Sequence, residues 1–372
     1  MTSSALPKKL AYVGGYDWPR APTTSSLKTN YRRLWKKLRV LDDPKAELVP
    51  DDLERMSGSL IPDNLWSALR EHQFESLDQT YLEWARRTDG PVTVCAFVMM
   101  PSVPQGLLAD WATDRGLDVV EGAAVPAGQG ALIVPDLCNL VHRNLEGRVA
   151  MRAYLAELDG ASRNILLGIS SWAWTYFAQT SAIEAVVSDA RSFASFDGDA
   201  LAELIATHLG QDTRFKSADT GNDVVETDED DALKDSYLKT LAARAYGCPW
   251  AALRLFDAAV KRQPDDDDDA DQAKKEQGDD QATWLQDPAV PQLPDHIARA
   301  SHFLLHTLLI NGPLTMAAVK TVLPMTLPVG LPSALGRSGL VHEDGGKIAI
   351  QRDAYPHVRR ILSEAGFPLD QI

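Results

Sequence analysis

Short, continuously apolar segments alternate with amphipathic helices through the first half of the chain. Residues 92–98 are the longest such segment, and residues 131–134 and 164–169 are two more. Strands that read as unbroken apolar runs are typical of parallel sheets buried on both faces. Helical patterns lie between these runs, so the sequence predicts an α/β fold with a parallel sheet covered on both sides.

The second half of the chain changes to helical patterns followed by a hairpin. Two predicted strands, 340–342 and 347–350, flank Glu343-Asp344-Gly345-Gly346, which is a strong hairpin signal. Three helices precede the hairpin, and together they predict a winged helix. The predicted helices are 199–209, 232–246, 250–262, 295–310, 315–323, 332–339 and 355–364.

Charge is distributed very unevenly along the chain, although the net charge of -15 describes an acidic protein. Residues 1–40 hold nine basic residues and one acid, whereas 217–235 hold eight acids and 263–281 hold nine. Both acidic runs lack large apolar residues, so we expect them to be solvated segments that do not order themselves. The predicted division is a basic extension (1–58), a core (59–198), a helical lid (199–262) containing the acidic insertion 217–235, an acidic linker (263–293) and a winged-helix domain (294–372).

The three cysteines lie far apart, and this pattern predicts neither a disulfide framework nor a zinc ribbon. No apolar run approaches the roughly 18 residues of a membrane span, and no apolar segment follows Lys8 and Lys9 as in a secretory signal. We therefore expect a cytoplasmic protein without a transmembrane segment.

The order of core, helical lid and winged helix resembles AAA+ ATPases of the replication-initiator and STAND-like type. The resemblance implies a P-loop NTPase-like core whose phosphate loop, GxxxxGK[ST], follows a buried strand. The corresponding segment here reads Pro101-Ser102-Val103-Pro104-Gln105-Gly106-Leu107-Leu108. Leu107 replaces the lysine, Leu108 replaces the hydroxyl that binds magnesium, and the two prolines have no N–H to donate.

The resemblance also assigns roles at two further strand ends. Asp136 follows the apolar strand 131–134 and corresponds to the acid that holds magnesium, but its neighbour Leu137 is not acidic. Ser170 and Ser171 correspond to the polar sensor position. Since the lysine and the hydroxyl are both lost, we expect a degenerate loop, no ATP hydrolysis and no bound cofactor, with ATP and magnesium kept only for an alternative in which the loop still binds nucleotide.

Aromatic and histidine clusters have both a structural and a functional interpretation. Trp172 and Trp174 follow a buried strand and could line the crevice at the strand ends, but core packing is favoured. His302 and His306 are four residues apart on a predicted helix, yet no third ligand accompanies them. We expect a structural role for this pair and no metal site.

The basic segment, residues 26–40, predicts an amphipathic helix with an apolar stripe and a strongly basic face. An acidic partner would contact the basic residues of this helix: Arg32, Arg33, Lys36, Lys37 and Arg39. In the winged-helix region, Arg337 and Lys347 are the basic residues that could contact DNA phosphates. The hairpin turn carries two acids, Glu343 and Asp344, which phosphates repel.

Three functions follow from these observations. The leading hypothesis is a degenerate AAA+-like scaffold or regulatory adaptor that acts through protein contacts. The alternatives are an ATP-binding switch with an atypical loop and a winged-helix DNA-binding regulator. The partner's identity and the oligomeric state stay open.

Overall fold

The computed structural model describes residues 6–22, 61–120, 122, 125–139, 142–208, 214–217, 219–229, 232–261, 282–285, 293, 298–323 and 325–372. The chain divides into two compact units. The larger unit combines Pro7–Asp17, Arg70–Ser195 and Ala289–Ile372, and the smaller combines Met1–Leu6, Trp18–Leu69 and Phe196–Pro288. The larger unit holds most of the predicted core (59–198) and the predicted winged-helix region (294–372). The predicted lid (199–262) lies in the smaller unit, together with both ends of the predicted core.

A six-stranded sheet forms the centre of the larger unit, and its strand order is β1-β6-β2-β5-β4-β3. The five strands from β2 to β6 pair in parallel, and β1 adds to β6 in the antiparallel sense. The predicted parallel α/β core is thus confirmed. The strands are β1 (Ala11–Tyr12), β2 (Val94–Met99), β3 (Asp118–Val119), β4 (Leu132–Val134), β5 (Ile165–Ser170) and β6 (Asp189–Ser192).

The helices of this part of the chain connect the strands, as in a βαβ arrangement. A long helix, α1 (Asp63–Leu77), continues through a π-helical turn (Asp78–Leu82) into α2 (Glu83–Arg86). The other helices are α3 (Leu107–Asp114), α4 (Leu145–Asp159) and α5 (Ser171–Ser181), with short 3-10 turns at Leu137–Asn139 and Ile183–Ala185.

The sheet buries both faces because alternate residues of each strand point to opposite sides. Val94, Ala96 and Val98 of β2 join a cluster with residues of α4 and α5. Phe97 points to the other face, where its ring packs edge-on against Phe193 at 4.8 Å. This burial explains why β2, β4 and β5 consist almost entirely of apolar residues, whereas the exposed β3 and the partly buried β6 carry charged ones.

The smaller unit contains helices and a small sheet, whereas the sequence predicted only helices for residues 199–262. Its described helices are α6 (Gly198–His208), α7 (Tyr237–Arg244) and α8 (Pro249–Ala259). A three-stranded sheet of order β7-β9-β8 combines β7 (Arg214–Ser217), β8 (Val260–Lys261) and β9 (Ala282–Leu285). These short strands have no alternating pattern that sequence analysis could detect.

The expectation that the acidic segment 217–235 does not order itself is wrong for its described residues. Two β-bridges, Lys216 with Asp223 and Thr227 with Leu233, fold the segment back on itself. Acidic side chains stabilise the local fold of this segment by accepting hydrogen bonds. For example, a carboxylate oxygen of Asp235 accepts from the backbone N–H of Tyr237 at 2.6 Å. Residues 263–281 of the second acidic run, like the basic segment 26–40, lie outside the described residues.

The C-terminal module, residues 298–372, has three helices followed by a hairpin. The hairpin strands pair with each other and with the short strand after the first helix, in the order β10-β12-β11. The elements are α9 (Ala298–Asn311), β10 (Leu314–Thr315), α10 (Met316–Val322), α11 (Leu331–Arg337), β11 (Val341–Asp344), β12 (Lys347–Ile350), a 3-10 turn (Arg352–Ala354) and α12 (Tyr355–Glu364).

No helix in the described ranges has the length and apolar character that crossing a bilayer requires.

Candidate functional site

The carboxyl ends of β2, β4 and β5 meet at one edge of the sheet, where ligands bind in open α/β folds. The loop after β2, Asp136 after β4, and Ser170 and Ser171 at the end of β5 all lie at this edge. The structure therefore brings the three sequence-predicted motifs together. We call this region the carboxyl edge.

The loop after β2 directs several of its amides to its own carbonyl groups. The N–H of Val103 donates to the carbonyl of Met100 at 3.0 Å, and the N–H of Leu107 donates to the carbonyl of Pro104 at 3.2 Å. These are successive tight turns, whereas a phosphate loop points consecutive amides at its ligand. Gln105 and Gly106 are exposed, and Gly106 has a φ of 88° that suits glycine where the chain enters α3.

The two leucines that replace the lysine and the hydroxyl are core residues. Leu107 is 2% exposed and Leu108 is 1% exposed. Leu108 packs against Gly168 of β5, where a Cβ atom would lie 2.9 Å from Leu108 Cδ2. The positions that would hold charge and magnesium therefore form part of the hydrophobic interior.

Asp136 caps a turn of its own chain. Its Oδ1 accepts a hydrogen bond from the N–H of Cys138 at 2.9 Å, at the start of the 3-10 turn after β4. Burial raises the pKa of the Asp136 carboxyl, while the Cys138 amide opposes that shift. Burial also raises the pKa of the Cys138 thiol, with the Asp136 charge contributing.

The two serines after β5 contact the C-terminal module. Ser170 Oγ accepts from the N–H of Ala173 at 3.1 Å, capping α5, and donates to the carbonyl of Leu309 at 3.3 Å. Ser171 Oγ donates to Asp370 Oδ2 at 2.6 Å. Both hydroxyls thus have partners within the protein.

The same module also contacts the loop after β2. Ser102, which is fully buried, donates through Oγ to the carbonyl of Arg352 at 3.0 Å. The module reaches the region after β4 through Asn311, whose Oδ1 accepts from the N–H of Arg143 at 2.6 Å. The chain's own C-terminal residues therefore occupy the carboxyl edge.

The two tryptophans are buried at different places. Trp174 joins the cluster beneath the sheet, and Trp172 packs edge-on against His306 at 5.6 Å. Burial, with the Arg143 charge beside it, lowers the pKa of His306 to about 4. His302 also has a pKa lowered by burial, and the described residues contain no group of three metal-ligating side chains.

Sequence analysis missed the partners that the C-terminal module supplies, above all Asp370, Tyr355 and Arg359. These residues are close to Ser171 in space but 199, 184 and 188 positions away along the chain. The only local signal is an isolated acid, Asp370, in the otherwise uncharged segment 367–372.

Neither a protein-family model nor a curated protein matches the sequence. Solved structures similar to the chain include Orc1 of Aeropyrum pernix in complex with DNA, at 14% identity over 83% of this chain and 94% of that chain, with a TM-score of 0.32. Cdc6p from Pyrobaculum aerophilum matches at 12% identity over 85% and 99%, with a TM-score of 0.32. A RuvB variant from Thermotoga maritima matches at 13% identity over 77% and 94%, with a TM-score of 0.30.

These three proteins have the AAA+ P-loop ATPase fold. The TM-scores are low, so the fold class of this chain rests on its own strand pairing and strand order.

Proposed function

We propose that the protein is a catalytically degenerate AAA+-like protein, a pseudo-ATPase, that acts as a cytoplasmic scaffold or regulatory adaptor through contacts with other proteins. The observation that carries this proposal is the carboxyl edge, which the C-terminal module covers through Ser102, Ser170 and Ser171. A nucleotide would need this edge open, because phosphate binding in P-loop proteins uses the loop amides, a lysine and a hydroxyl at the ends of these strands.

The chemistry of the loop supports the same proposal. Phosphoryl transfer depends on positive charge and on donors aimed at the transferred group. Leu107 and Leu108 supply neither, and the amides of Val103 and Leu107 already donate to backbone carbonyls. Asp136 accepts from the Cys138 amide, which gives its carboxylate a structural role without magnesium.

The order of helices and hairpin in the C-terminal module supports the winged-helix interpretation. Its hairpin is exposed from His342 to Lys347 and carries Glu343 and Asp344 at the turn. The phosphate backbone of DNA attracts basic side chains and repels acidic ones such as these. The charge of the hairpin therefore supports contacts with protein rather than with DNA. The basic segment 26–40 is our proposed contact for an acidic protein partner.

A thermal-shift titration with ATP and magnesium tests the pseudo-ATPase proposal. A ligand that binds only the native state at 100 times its Kd would add about 2.7 kcal/mol to the free energy of unfolding. We expect no saturable shift. A saturable rise in Tm with turnover that Asp136→Ala abolishes would instead establish the ATP-binding switch.

Two variants of the loop sharpen this test. Leu107→Lys places an ammonium in a side-chain position that is 2% exposed, so we expect a loss of the order of 3–5 kcal/mol in stability and no ATP binding. Gln105→Lys is the matched control, because it adds the same charge two residues away at an exposed position. We expect Gln105→Lys to leave the Tm unchanged.

A further inference from the structure

We propose that the tail segment, residues 367–372, is a releasable latch: the Asp370 carboxylate is held in a site formed by Ser171, Tyr355 and Arg359, and its release uncovers the carboxyl edge. The inference rests on the proposed function in one respect: both require the C-terminal module to cover the carboxyl edge.

The latch site is a complete set of donors around one carboxylate. Asp370 Oδ2 accepts from Ser171 Oγ at 2.6 Å and from the Tyr355 hydroxyl at 2.8 Å. Oδ1 accepts from Arg359 Nε at 2.8 Å. The Asp370 side chain is 0% exposed and that of Arg359 is 11% exposed, so this ion pair is screened little by water.

The four side chains come from two separate parts of the larger unit. Ser171 begins α5 beneath the carboxyl edge, whereas Tyr355 and Arg359 lie on α12 of the C-terminal module. Asp370 therefore bridges α12 and α5. A second contact supports it, because the N–H of Gln371 donates to Thr175 Oγ1 at 2.9 Å, one turn further along α5.

The tail is suited to release because it is not part of a regular element. Residues 368–372 follow α12 as irregular chain, yet Asp370 and Ile372 are buried. The segment is held by side-chain contacts of Asp370, by the Gln371 amide and by the Phe367 ring, which packs against Phe303 at 5.3 Å and His306 at 5.0 Å. Opening such a segment requires less free energy than unfolding a core strand. Arg352, whose carbonyl accepts from Ser102, lies three residues before α12, so loosening α12 also weakens the cover on the degenerate loop.

Amide hydrogen exchange on the full chain tests the latch. Asp370→Asn removes the charge at nearly constant shape. We expect amide exchange at least about tenfold faster in residues 100–108 and 135–139, which corresponds to a decrease of about 1.4 kcal/mol in the free energy of local opening. Exchange in β3 and β6 should not change. Arg360→Gln is the matched control, because Arg360 lies on the same helix but its side chain is 49% exposed.

Two results would overturn the latch. One is an equal amide exchange rate in Asp370→Asn and in Arg360→Gln. The other is faster exchange spread evenly over the larger unit, which would mean that residues 367–372 stabilise the whole unit and not the carboxyl edge in particular. Ser171→Ala removes only the hydrogen-bond donor on α5 and should increase amide exchange in the same segments by a smaller factor. If Asp370→Asn does not fold, the exchange of Ser171→Ala tests the latch in its place. The experiment uses no nucleotide, so a failed latch leaves the ATP titration to judge the proposed function separately.

Discussion

Gly168 of β5 is the position where a single methyl group should most disturb the carboxyl edge. A Cβ atom at this position would overlap the carbonyl oxygen of Pro135 and lie 2.7 Å from its carbonyl carbon and 2.9 Å from Leu108 Cδ2. Leu108 can rotate, but the Pro135 carbonyl belongs to the backbone immediately after β4 and can move only with the strand. We therefore expect Gly168→Ala to separate the ends of β4 and β5.

The expected cost follows from the atoms involved. Forcing one extra methyl group into a packed core usually costs about 1–3 kcal/mol, and a clash with backbone belongs at the upper end of that range. Gly336→Ala, in α11, is the matched control because its Cβ would meet nothing nearer than the Val341 oxygen at 3.9 Å. Alanine is favoured over glycine inside a helix, so this control should gain up to about 1 kcal/mol.

Equilibrium denaturation of the two variants measures the difference, since both glycines lie in the larger unit. We expect Gly168→Ala to unfold at lower denaturant concentration than the unaltered chain, and Gly336→Ala at equal or higher concentration. Equal midpoints for the two variants would refute the close approach of β4 and β5 on which our description of the edge depends.

Two further predictions concern charge. Because burial and Arg143 lower the pKa of His306 to about 4 and an unfolded histidine titrates near 6.5, the larger unit should be fully stable above pH 6.5 and lose up to about 3 kcal/mol as the pH falls towards 4. In unfolding measurements His306→Gln should flatten this dependence, whereas the exposed His142→Gln should retain it, and equal slopes in both variants would contradict our assignment. If the chain binds duplex DNA at low salt, changing Arg32, Arg33, Lys36, Lys37 and Arg39 together to glutamine should abolish binding and flatten its salt dependence, while Arg337→Gln should have little effect. The opposite result in a gel-shift assay would support the winged-helix DNA-binding regulator.

The strands of the core and the hairpin of the C-terminal module could be predicted because their signals are local. Residues 92–98 and 164–169 are apolar apart from Thr93 and Asn164, and the structure has strands at Val94–Met99 and Ile165–Ser170. At the hairpin, Gly345 and Gly346 have φ values of 54° and 74°, which the tight turn requires and which glycine adopts without strain. Periodicity and turn chemistry therefore sufficed for these elements.

The covering of the carboxyl edge could not be predicted because its contacts are distant along the chain. Ser171 and Asp370 are separated by 199 positions, and the isolated acid in segment 367–372 does not indicate which distant residue it contacts. The strand at Ala11–Tyr12 is likewise too short for periodicity and forms only through pairing with β6. The described residues of the acidic segment 217–235 are ordered, against expectation, because carboxylates such as Asp223 and Asp235 accept hydrogen bonds from nearby amides. This is a local effect that composition does not record.

In the proposed pseudo-ATPase, the apolar residues of the loop after β2 and the contacts of the C-terminal module at the carboxyl edge depend on each other. An edge that binds nucleotide must keep donors free and side chains polar, whereas Leu107 and Leu108 are buried and Ser102, Ser170 and Ser171 donate to the C-terminal module. Buried donors that lost these acceptors would be left unsatisfied unless water replaced them. Restoring the lysine alone therefore destabilises the interior without opening the edge, and opening the edge alone exposes a loop without the charge that phosphate requires. Under the proposed function, nucleotide binding would therefore need both changes together, and the contacts of Ser102, Ser170 and Ser171 are those of an internal packing surface.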